Sequence, residues 1–379
     1  MERTRVSQAS DLAVLLPYMF GFHPHDSVVV VALKGKQIGV LQRHDLIPDD
    51  ENPRSFAQDL VQRAIAHEAS AVVVVGYEEA KGASDPLRRA ITAQARARRL
   101  PVLESIVVRD GRWYAPECRA GCCPGGGRDL LPPDRVPAVA SFVLRGCVPL
   151  TDRQEVSRQV TPGTGRLVGP GLIAATAERV LAQIDEAGGR AGLTVDGPAW
   201  DDLTGRSIAR AWASILRPSP QTEDINDLDE AVIAVALGSL VDRQWRDALM
   251  GALAPGSMPT ERVSARYARD ARCATRHCPW SDTAQLTPLG IARAPIDDVE
   301  RDDVAVGAVT QRLAALIRRV DPGDAVPLLV VLAHLSWWRG DGARAASCLE
   351  QALTVEPDYA LATMMYQLVT SGVPLKAIA

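Results

Sequence analysis

The residues best suited to chemistry fall into three clusters. The first is Arg43-His44-Asp45 together with Gly76-Tyr77-Glu78-Glu79, each at the end of a strand-like run. Strands running in one direction would place Arg43, His44, Asp45 and Glu79 on one rim beside a helix start at Ser84-Asp85. An Arg next to a helix N-terminus suits an anion, and His44 suits a general base. The second cluster is sulfur-rich. Cys118, Cys122 and Cys123 lead into Pro124 and a glycine run, and Cys273, His277 and Cys278 form a further set. Thiolates and imidazole are the ligands zinc prefers, although neither spacing is the paired CxxC pattern of a zinc module. The competing reading is ordinary reduced thiols. The third cluster is His23-Pro24-His25-Asp26. It precedes its strand, and ligands of open α/β sheets bind beyond the carboxyl ends. It is therefore expected to be a structural turn, away from the rim.

The elements positioning these groups follow from hydrophobic periodicity. Residues 28–33 form a continuous β-branched run expected of a strand buried on both faces, and Lys34-Gly35-Lys36 turns it into a second strand over 37–47. A helix over 53–67, a strand over 71–75, a helix from Ser84-Asp85-Pro86 to about Arg99 and a strand over 101–108 follow, then the turn Asp110-Gly111 into Trp113-Tyr114. This alternation predicts an α/β domain over residues 1–160 with a mixed, partly parallel sheet. Residues 161–171, dense in Gly and Pro, are expected to be a linker. Residues 172–379 carry helical periodicity over 172–187, 200–216, 228–253, 304–320 and 326–338, an all-α domain.

The last helices have the sharpest pattern. Gly340-Asp341-Gly342 precedes Ala345, Leu349, Ala352 and Pro357, which resembles a single tetratricopeptide repeat at about 326–370. Trp337 and Trp338 are expected to be packing residues.

Bulk properties exclude several classes. A net charge of −4 gives no basic face for nucleic acid. No apolar run reaches the roughly 20 residues that span a bilayer, so no membrane partner is expected. Seven cysteines at uneven spacing fit a reducing cytoplasm. No GxxxxGK[ST], GxSxG or HExxH motif occurs.

One resemblance covers most of the chain. Leu15-Leu16-Pro17-Tyr18, Gly21-Phe22, Pro24, Asp26-Ser27 with its valine run, Arg43, Asp45, Asp110-Gly111-Arg112-Trp113, Cys118 with Cys122-Cys123-Pro124, and Trp338-Arg339-Gly340-Asp341-Gly342 resemble the actinobacterial "domain of unknown function 4192" family. The resemblance implies an intracellular protein in two parts and supplies no catalytic residues. The expectation is a non-enzymatic protein that contacts another protein or itself. The alternatives are an enzyme or small-ligand sensor with an anion site at the rim, and a zinc-supported domain.

Overall fold

The computed structural model describes residues 8–48, 51–118, 125–144, 146–165, 167–186, 205–217, 225–258, 263–278, 280, 286–287, 290–291, 303–373 and 375. The chain divides into two compact units, Met1–Arg153 and Gln154–Ala379.

The first unit is built on a six-stranded mixed sheet. Its strands are β1 (Ser27–Lys34), β2 (Gln37–Asp45), β3 (Ala71–Tyr77), β4 (Val102–Arg109), β5 (Arg112–Tyr114) and β6 (Arg128–Asp129), in the order β2-β1-β3-β4-β5-β6. β3 and β4 are parallel, whereas β1 is antiparallel to both of its neighbours. Val28, Val29, Val30 and Val31 are all fully buried, each worth roughly 1.5–3 kcal/mol of apolar burial. Alternation sends Val28 and Val30 toward α2 (Pro53–Ala66) and α3 (Asp85–Ala97). Val29 and Val31 face α1 (Ala9–Phe20) on the opposite side. The sheet is thus the middle of three layers, and α4 (Pro137–Leu144) packs beside α1.

Strand direction fixes the rim. Ser27, the first residue of β1, pairs with Asp45 at the end of β2 and with Tyr77 at the end of β3. Tyr77 in turn pairs with Val108 near the end of β4. The amino end of β1 and the carboxyl ends of β2, β3 and β4 therefore share one edge. His23-Pro24-His25-Asp26 lies on the rim it was expected to be separated from, because the Lys34-Gly35-Lys36 hairpin reverses the chain.

The second unit is helical. α5 (Arg153–Gln159) stands at the junction in the chain. It is followed by α6 (Leu172–Glu186), α7 (Gly205–Leu216), α8 (Glu230–Gly238), α9 (Arg243–Leu253), α10 (Ala265–Thr275), α11 (Asp303–Ile317), α12 (Pro322–Arg339), α13 (Gly342–Val355) and α14 (Ala360–Thr370). The helical pattern over 228–253 is two helices, broken where the Asp242 side chain accepts the Gln244 N–H and caps α9. Residues 161–171, expected to be a linker, belong to this unit: Gly165 N–H and Val168 N–H donate to the carbonyls of Arg318 and Arg319. Gly340, at φ +92°, ends α12, and Asp341 accepts the Arg344 N–H to start α13. Ala345, Leu349 and Ala352 are buried. Trp337 and Trp338 donate their indole N–H groups to Val373 O and Pro255 O, as packing residues do. Among the described residues no helix is long and apolar enough to cross a membrane.

Candidate functional site

The shared rim holds a cavity of about 960 Å³. Its apolar side comes from Val14 and Pro17 of α1 and from Leu130, Leu131 and Pro133. Its polar side comes from His23, His25, Asp26, Glu78, Glu79, Arg109 and Asp110. The segment before α5 closes a wall. His23 N–H donates to Leu150 O (2.9 Å), Leu150 N–H to Gly21 O (2.8 Å), and His25 Nε2–H to Thr151 O (3.0 Å). Pro149 and Thr151 line the cavity as a result.

Glu78 is the buried centre of the rim. Its Oε1 accepts the Gly82 N–H (2.9 Å) and Arg109 Nη1–H (2.7 Å), while Oε2 accepts the Ser84 N–H (2.9 Å) and the Ser84 hydroxyl (2.6 Å). Burial pushes this carboxyl upward, and the hydrogen bonds from Ser84, Gly82 and Arg109 outweigh it, leaving its pKa below the usual value. Ser84 therefore does not cap α3 with its own side chain; the Glu78 carboxylate takes up the Ser84 N–H instead. The approach requires Gly76. A Cβ there would stand 2.4 Å from Ser84 Oγ and 2.7 Å from Ser84 Cβ.

The anion expected at this rim is thus already present as part of the chain. An Arg and a helix N-terminus do combine, but the Arg is Arg109, which also stacks on Tyr114 at 4.5 Å, and the anion is Glu78. Arg43 is committed elsewhere. Its Nη2 donates to Asp45 Oδ1 (2.6 Å) and His25 O (3.2 Å), and it lies over the Phe22 ring. His44 points to the other face, packs edge-on against Phe56 and donates its Nδ1–H to Asp45 O (2.7 Å). Adjacent strand residues face opposite ways, so Arg43 and His44 cannot serve one site. Of Arg43, His44, Asp45 and Glu79, only Glu79 lines the cavity.

The expected turn residue Asp26 does more than shape a turn. It sits at φ +34°, and its Oδ1 accepts the Glu79 N–H (3.0 Å), tying the start of β1 to the end of β3. Burial, followed by the neighbouring His25, lowers the pKa of His23 below the usual imidazole value. Tyr77 donates its hydroxyl to Ala13 O (2.9 Å), and burial pushes its phenol far up, so it lines the cavity as a neutral wall.

Among the described residues the cysteine candidates are not brought together. Cys122 and Cys123 lie outside the described residues. Cys118 is half-buried and follows Glu117, which Arg88 holds together with Asp85. Cys273 and His277 are exposed, whereas Cys278 is inside the helical core. Among the described residues no three His, Cys, Asp or Glu side chains are grouped to hold a metal ion.

The architecture is that of an α/β unit with a ligand-sized rim cavity, followed by a helical unit. The family described as Domain of unknown function (DUF4192) matches residues 10–292 and 297–375, and the chain belongs to it. No curated protein matches the chain, and no solved structure does.

Proposed function

We propose that the N-terminal unit binds a small organic molecule in the rim cavity. The observation that carries this reading is the cavity itself. Its volume suits a small ligand, and its lining combines apolar residues with several polar ones, the combination typical of ligand sites. Binding, rather than turnover, is supported by the state of the strongest acid–base candidates. Glu78 is saturated with hydrogen bonds, and His25 is held by Thr151 O. The test is a ligand-detected NMR screen of small fragments against the full chain and its Thr151→Trp variant, which fills the cavity from an exposed position. Fragments that bind the parent and not the equally stable variant support the reading. Fragments that bind both equally, or none that bind the parent, refute it.

Contact with another protein is a second reading, in keeping with the tetratricopeptide likeness of the last helices. It is supported by the left-handed Gly340 turn and by the small residues Ala345 and Ala352 buried where a helix pair of that kind needs them. Light scattering of the full chain tests the self-association form of this reading: concentration-dependent mass supports it, and a constant monomer mass removes it. A cytoplasmic location fits both readings and rests on the uneven cysteine usage.

A further inference from the structure

We propose that the cavity's ligand is an organic cation, a protonated or quaternary amine carrying an apolar portion. This deepens the reading that the cavity binds a small molecule and rests on it. Among the described residues, four carboxylates, Asp26, Glu78, Glu79 and Asp110, line the cavity with one guanidinium, Arg109, and the imidazoles of His23 and His25. Glu78 and Arg109 pair at 2.7 Å and cancel. Asp110 approaches that same Arg109 only at 3.8 Å, and among the described residues Glu79 is engaged only through its backbone N–H. Three negative charges therefore face the cavity against an already neutralised cation. A concave wall of low polarizability focuses such a field.

An anionic ligand is disfavoured twice. The carboxylates repel it, and the donors that would welcome it, Ser84 N–H, Gly82 N–H and Arg109, are bonded to Glu78. A bare divalent metal is disfavoured by geometry. Hard cations need several oxygens closing around one point at about 2.0–2.6 Å, and these carboxylates are not so grouped among the described residues. They are instead distributed around a space of organic size. The rest of the lining supplies the complement for carbon. Val14, Pro17, Leu130 and Leu131 offer apolar surface, and Tyr18 offers a ring suited to a cation.

The test uses three probes of nearly equal shape, phenethylamine, 2-phenylethanol and phenylacetate, titrated into the full chain at neutral pH and followed by NMR shifts. Phenethylamine is expected to bind about tenfold more tightly than the alcohol, with the carboxylate weakest. About 0.5 M salt should erase the difference, because exposed charges are screened at that strength. The Asp26→Asn/Glu79→Gln double variant keeps the Asp26 Oδ1 acceptor and should lose the amine preference by about tenfold, each exposed charge contributing up to about fivefold. Its thermal midpoint reports that it still folds. Equal binding of all three probes, a preference for phenylacetate, or an undiminished amine preference in the double variant overturns the cation assignment while leaving the cavity a ligand site. No binding of any probe, with the fragment screen also empty, overturns both.

Discussion

The rim of the N-terminal unit and the core of the helical unit hold similar chemistry in opposite states. At the rim, His23, Asp26 and Glu79 project into a cavity, and one carboxylate, Glu78, is sacrificed to organise the edge. In the helical core, His334, Cys278 and Cys348 are wholly enclosed. His334 Nε2 is hydrogen-bonded to Ser257 Oγ at 2.7 Å, and burial lowers its pKa to about 4. Burial likewise pushes the Cys348 thiol up, out of reach of the thiolate form. A Ser–His pair inside an apolar core is a packing contact, whereas a histidine on an open edge, His23, lines a cavity. Solvent access, not residue type, separates the two regions.

The strongest way to break that contrast is to remove the buried rim carboxylate. Glu78→Ala should destabilise the N-terminal unit by about 3–5 kcal/mol, since it strands Arg109 and two backbone donors; urea unfolding measures it. The same carboxylate has a lowered folded pKa. Its contribution is therefore complete above the unfolded value near 4.5 and is lost as pH falls toward the folded one.

In the helical unit the counterpart is a histidine that folding keeps neutral. His334 goes from 6.5 unfolded to about 4 folded, so its stability is complete above pH 6.5 and declines by roughly 3 kcal/mol as pH falls to about 4. His334→Gln should flatten that part of the pH–stability curve. A curve unchanged by the substitution would mean the histidine is not enclosed as described.

Gly76→Ala should cost about 1–3 kcal/mol, because the new methyl group collides with Ser84 and must displace the start of α3. Calorimetry on the variant reads this as a lower melting temperature. The smallest effect is expected at Cys273, which is exposed. Cys273→Ser should change stability by less than about 0.5 kcal/mol. In the native protein a thiol reagent should label Cys273 while sparing Cys278 and Cys348; early labelling of the buried pair would erase the contrast between the regions.

Much of this was legible in the sequence. The β-branched run of β1, the Pro at the start of α3 and the Gly340 turn each announce their element through local chemistry. The hairpin also carried the direction of β1, so the position of His23 and Asp26 on the productive rim was implicit in Lys34-Gly35-Lys36. The two-residue period of a strand likewise separates Arg43 from His44. What local pattern could not supply was the partner of Glu78. Arg109 is 31 residues away, and only the parallel pairing of β3 with β4 brings them together. The break between α8 and α9 was hidden because apolar spacing continues through it, and the Asp242 cap is the one residue that marks it.

The strand order has a consequence for synthesis on the ribosome. β1 is made before β3, yet it lies between β2 and β3, so one edge of its four consecutive valines stays open until the segment ending at Tyr77 has been made. At about 5–20 residues per second that interval lasts several seconds. During it the hairpin of β1 and β2 is an uncapped, strongly apolar ribbon, the kind of surface that nascent-chain chaperones cover.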